Sequence, residues 1–159
     1  MKKVPFLLVA LAFMISCGKK EKADDGSNSA AQTEEYVPAD DAPAYDPERG
    51  EGKFKDVQLG DKLDLAMATE GENIASVKCT SCHKLTDEKL VGPGWKGVTS
   101  RHKPEWIMNF ITNPDPMIEK DPKVQAMMEI CLVRMPNQSL SDKDARSILE
   151  YMRQNDGVK

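Results

Sequence analysis

The chain has 159 residues, 40% of them hydrophobic, with 22 Lys/Arg against 26 Asp/Glu and a net charge of −4. That length leaves room for one small domain beside a leader or linker. The acidic balance gives no sign of a nucleic-acid partner.

Met1-Lys2-Lys3 is a short positive start, and Val4 to Ile15 is an apolar run of twelve residues. Such a run has the length of a signal-peptide core and is too short to span a bilayer as a helix. It ends Met14-Ile15-Ser16-Cys17-Gly18, which resembles a bacterial lipobox. Residues 1–16 are therefore expected to be removed, leaving Cys17 as a lipidated amino terminus that anchors the protein to a membrane. Residues 17–57 are rich in Ala, Asp, Glu, Gly, Pro and Ser, with six Lys/Arg against eleven Asp/Glu. Low hydrophobicity with charge of one sign predicts a disordered tether, stiffened locally by Pro38, Pro43 and Pro47. Tyr36 and Tyr45 are its candidates for docking on a partner.

Residues 58–159 carry fourteen Lys/Arg against fifteen Asp/Glu, so the remaining domain is close to neutral. No stretch alternates with period two, and the pattern predicts an all-α domain of about four helices. Leu59, Leu63, Met67, Ile74 and Val77 fall near helical spacing. They lead into Cys79-Thr80-Ser81-Cys82-His83, which reads as a covalent c-type haem attachment site. Two thiols on one turn reach the vinyl groups of one porphyrin edge, and the adjacent imidazole faces the iron. A zinc site would need a second paired Cys or His set, and only His102 and Cys131 are on offer. A thioredoxin-like site would need a βαβ pattern, which is missing.

Val91 to Thr99 reads as a glycine-rich loop. Pro104 opens a second helix with Trp106, Ile107, Phe110 and Ile111 inward, stopped by Asn113-Pro114. Residues 115–123 read as a loop insertion that would rim the haem edge. A third helix runs from Pro122 to about Leu132, with Val124, Met127, Met128 and Cys131 on one side. Cys131 reads as a small hydrophobe. The last helix opens on Ser141 and Asp144, a capping-box pair, and buries Ala145, Ile148, Leu149 and Met152.

Over roughly residues 59–155 the chain resembles the class I monohaem c-type cytochromes. Gly71 stands where that family has a glycine at the crossing of its first and last helices. Gly92-Pro93 matches the pair whose proline carbonyl accepts a hydrogen bond from the proximal histidine. Met135-Pro136 precedes the final helix as the family's distal ligand does, and Tyr151 falls where that helix often carries an aromatic residue. Ala75 departs from the family, which favours an aromatic residue four positions before the first haem cysteine.

The resemblance implies one haem c held by Cys79 and Cys82, with His83 and Met135 as axial iron ligands. Met117 and His102 remain open as alternatives to Met135. Met67, Met127, Met128 and Met152 sit at core spacing, where methionine is packing. Arg101 and Trp106, or Trp95, are candidate donors to the haem propionates. Two filled axial positions favour a carrier over a catalyst. The expected function is one-electron transfer in the periplasm between a quinol-oxidising complex and a terminal reductase or oxidase. Its partners would be a redox donor and acceptor protein, and no feature calls for more than a monomer. A haem subunit of a respiratory reductase, for example one acting on nitrogen oxides, and a haem peroxidase or sensor are the alternatives.

Overall fold

A computed structural model describes residues 45–159. The expected signal peptide, Cys17, Tyr36 and the first part of the expected tether lie outside the described residues. Six helices follow in order: α1 Leu65–Lys78, α2 Val98–Arg101, α3 Pro104–Thr112, α4 Pro114–Lys120, α5 Pro122–Cys131 and α6 Asp142–Asn155. No strand forms among the described residues, and none of their helices is long and apolar enough to cross a membrane.

The frame is the crossing of α1 and α6. Asp64 caps α1 by accepting from the Met67 amide at 3.0 Å. The face that α1 buries is made of small residues, Ala68, Gly71 and Ala75. This differs from the expected stripe: Leu59 and Leu63 precede the helix, and Val77 is 80% exposed. Small residues let the two backbones approach closely. A Cβ on Gly71 would overlap the Ser147 carbonyl of α6. α6 opens on the full capping box of Ser141 and Asp144, and its Ala145, Ile148, Leu149 and Met152 are buried. Buried Glu150 pairs with Arg153 at 2.7 Å, and Arg153 also donates to the Gly60 carbonyl at 2.7 Å. That pairing fastens the chain entering α1 to the final helix.

The second half is built from α3, α4, α5 and the segment before α1. Asn113-Pro114 ends α3 as expected, but Pro114 then starts α4. Proline suits the first position of a helix, where its missing N–H has no intrahelical partner. Residues 115–123 are therefore a helix and its cap rather than an open loop, and Met117 is fully buried. Asp121 caps α5 through the Lys123 and Val124 amides at 2.7 and 3.1 Å. α5 ends at Cys131, with Leu132 in the left-handed region at φ 59°.

The packed chain also starts earlier than the expected boundary at 57. Buried Asn109 of α3 donates to the carbonyls of Arg49 and Phe54 at 3.1 and 2.9 Å and accepts from the Phe54 amide at 2.9 Å. The Val57 amide donates to Glu105 at 2.7 Å. Residues 45–57 thus form a strap over α3 to α5. Polar side chains hold its backbone, which is why its hydrophobicity gives no sign of order.

Candidate haem-binding site

The attachment motif leaves the end of α1 in a tight turn. The Cys82 and His83 amides both donate to the Cys79 carbonyl at 3.0 Å. The Cys82 carbonyl then receives the Val91 and Gly92 amides at 3.2 and 2.8 Å, and the Trp95 amide reaches the Lys84 carbonyl at 2.9 Å. These bonds fold the loop 91–95 against the histidine. His83 Nδ1 lies 2.8 Å from the Pro93 carbonyl oxygen. A Cβ on Gly92 would overlap the His83 ring, so glycine lets the loop backbone lie directly on the imidazole. With Nδ1–H given to Pro93, Nε2 carries the free lone pair, the tautomer a metal-bound histidine requires.

His83 opens on a cavity of about 360 Å³. Its walls are mainly apolar, with Ile107, Phe110 and Ile111 from α3 and Leu140, Ile148 and Met152 from α6 and its approach. Cys79, Cys82, Met135 and Pro136 line the same space, as do Trp95, Arg101, His102 and Trp106. A smaller neighbouring cavity shares Cys82, His83, Met127 and Met135. Cys79 and Cys82 form no disulfide. Among the described residues, no group of three or more His, Cys, Asp or Glu side chains is placed to hold a metal ion. Two free thiols, one correctly poised imidazole and a thioether around an apolar slot fit a haem bound by thioether links.

Burial pushes the Cys79 thiol up to about 11 and holds His83 below its ordinary value, the latter opposed by the Pro93 hydrogen bond. Both groups are thus neutral at pH 7.

The other expected site residues divide. Met117 is packed away beside Gly50 and Trp106 and does not line the cavity. Met127 and Met152, expected as core packing, do line it. Trp106 borders the cavity, but its indole N–H donates to buried Asp121 at 2.7 Å. It is therefore committed elsewhere and is not a free propionate donor. Arg101 gives its guanidinium to the Lys96 and Gly94 carbonyls at 2.6 and 3.4 Å. Tyr45 likewise donates to Asp121, so it docks within its own chain. Tyr151 meets Trp95 edge-on, with ring centroids 6.4 Å apart. Trp95 therefore supplies the aromatic neighbour of the final helix where α1 offers only Ala75. Cys131 is half-buried beside the smaller cavity.

Sequence reading missed Asp121 and Asn109. Asp121-Pro122, a capping residue before a first-turn proline, was the available signal for Asp121. Asn109 has no local signal, because its partners are 55 and 60 residues away.

The cytochrome c family profile matches residues 68–156. No curated relative matches. Among solved structures, cytochrome c from Rhodothermus marinus is 40% identical with a TM-score of 0.64, covering 66% of this chain and 90% of its own. An engineered form of that cytochrome, bound to a carbene intermediate, is 39% identical with a TM-score of 0.60 over the same shares. The chain belongs to the cytochrome c family. Its cofactor is haem c, one covalently attached iron porphyrin, and its fold is that of an electron carrier working with redox partner proteins. Domains of this family are generally extracytoplasmic.

Proposed function

We propose that this protein is a membrane-anchored, one-electron respiratory carrier, with Cys79 and Cys82 as the thioether links and His83 and Met135 as the axial ligands. It would pass electrons from a quinol-oxidising complex to a terminal reductase or oxidase on the extracytoplasmic side, held there by lipid on Cys17. The observation that carries this reading is a single apolar cavity lined by Cys79, Cys82, His83 and Met135, with His83 oriented by Pro93.

The haem supplies a reversible one-electron site. Pro93 fixes the His83 ring through Nδ1 and leaves Nε2 to ligate. Met135 offers a neutral thioether, which favours the ferrous state and raises the reduction potential relative to a second imidazole. Ile107, Phe110, Ile111 and Ile148 exclude water, keeping the dielectric low around the redox centre. Exposed Leu90, Val91, Leu132 and Val133 offer apolar contact beside the smaller cavity. A near-neutral domain suits brief docking, because strong charge complementarity mainly accelerates encounter.

Expression of the full chain in a host able to attach haem c tests this reading. One haem per chain is expected, lost in Cys79→Ala with Cys82→Ala, and membrane association is expected to disappear in Cys17→Ala. A ferrous protein that binds carbon monoxide readily at neutral pH would instead mean an open, catalytic or sensing iron.

A further inference from the structure

The cavity has polar groups at its border, and nearly all are spoken for. Lys78 donates to the Gln138 carbonyl at 3.0 Å, beside the attachment motif. Arg101 holds two loop carbonyls, and Trp106 holds Asp121. His102 differs. Its Nδ1 is buried with no hydrogen-bond partner among the described residues, while the ring lines the cavity. The ring is also held in place. It stacks on Trp106 with centroids 3.8 Å apart and planes 14° apart. Trp106 is fixed by Asp121, which Tyr45 of the strap also engages.

A buried imidazole nitrogen without a partner is costly, by about 1–3 kcal/mol for an unsatisfied polar group. Its persistence on a rigidly stacked ring points to a ligand atom. Porphyrin chemistry says which one. Cys79 and Cys82 take the vinyl-bearing edge of a haem, and the two propionates project from the opposite edge. The groups around His102 are Arg101, Trp106, Lys123, Asp121 and Glu48, from α2, α3, α5, the α5 cap and the strap, with none from the attachment motif. Of these, Arg101 and Trp106 line the cavity together with His102, on segments separate from the one that takes the vinyl edge.

We propose that His102 is the propionate-holding residue of this cytochrome, donating Nδ1–H to a haem propionate, and that Tyr45, Asp121 and Trp106 position its ring. The inference rests on the haem reading of the cavity. His102 is thus a positioning residue that sets the protonation of the propionate without touching the iron. A donor to the ionised carboxylate lowers the propionate pKa. The propionate and imidazole then titrate as a coupled pair. Reduction adds negative charge to the haem, so the reduction potential falls as pH rises through the pair's titration. Burial is the largest influence lowering the imidazole's part of this titration, Lys123 and Arg101 lower it further, and Asp121 and Glu48 raise it. Removing the donor moves the step to higher pH.

The test uses holoprotein whose haem content is first established by its pyridine haemochrome spectrum, so absence of haem is read separately from failure of this inference. The chain has two histidines, so ¹⁵N-histidine labelling of the ferrous protein gives two ring systems. The proposal expects a slowly exchanging Nδ1–H on His102 with nuclear Overhauser contacts to propionate methylenes. His102→Phe keeps an aromatic ring to stack on Trp106 but lacks the donor, and its potential–pH step should move upward. His102→Gln restores an N–H donor and should bring the step back towards that of the wild type. A fast-exchanging His102 N–H without propionate contacts, together with superimposable potential–pH curves for wild type and His102→Phe, overturns the proposal.

Discussion

The two halves of this molecule are held by different forces. In the α1–α6 crossing, backbones meet directly over Gly71 and a run of small or aliphatic side chains. In the half made by the strap and α3 to α5, single buried polar side chains do the fastening. Asn109 grips the strap at three backbone atoms, and Asp121 gathers Tyr45, Trp106 and two amides. The first half fails mainly by steric exclusion, whereas the second fails by unsatisfied polarity.

Gly71→Val should give the largest effect, since its branched side chain must displace the α6 backbone rather than a flexible neighbour. A loss of about 3 kcal/mol or more is expected, seen as failure to recover folded holoprotein or as a large drop in the denaturation midpoint.

Asp121→Ala strikes the other half. It removes the cap of α5 and strands the Trp106 indole N–H, together about 3 kcal/mol, measurable by urea unfolding of the holoprotein. Asp121 also makes the second half respond to acid. Burial acts to raise its pKa, yet the hydrogen bonds from Tyr45, Trp106 and the Val124 and Lys123 amides leave it below the ordinary value. The unfolded carboxyl, near pKa 3.9, takes up protons first as pH falls. Its stabilisation is therefore complete above about pH 5 and is lost as pH drops through the lower native value. Asp121→Asn should flatten that part of the acid-unfolding curve, and an unchanged acid limb would remove Asp121 from this role.

Tyr45→Phe is the mildest test, costing about 1 kcal/mol for one hydrogen bond. Its more telling readout is local, with faster amide exchange expected at Phe54 and Val57 than in α1 or α6. Uniform exchange across the chain would argue that the two halves unfold together.

What the sequence made legible follows the same division. Cys79, Cys82, His83 and Pro93, the capping box of α6 and its apolar stripe are local patterns, so spacing alone locates them. The family resemblance marks Gly71 at the crossing, as found, but Ala68 and Ala75 beside it escape because large apolar residues dominate a periodicity count, while close helix approach selects small ones. The strap and the α4–α5 corner escaped for another reason. Their order depends on Asn109 and Asp121 meeting partners from 48 to 76 residues away, together with Tyr45 and Glu105. Polar residues with long-range partners look like solvated loop until the chain is folded. Nor does local sequence show that Trp106 is committed to Asp121, or that His102 Nδ1 has no partner among the described residues.

The most direct test of the account is the near-infrared spectrum of the ferric holoprotein, compared with Met135→Ala and Met127→Ala, because Met127, like Met135 and Met152, lines the cavity. The weak charge-transfer band of methionine-ligated ferric haem should be present in wild type, survive in Met127→Ala and vanish in Met135→Ala. Its survival in Met135→Ala, or its absence from the wild type, would contradict His83/Met135 ligation and with it the carrier reading.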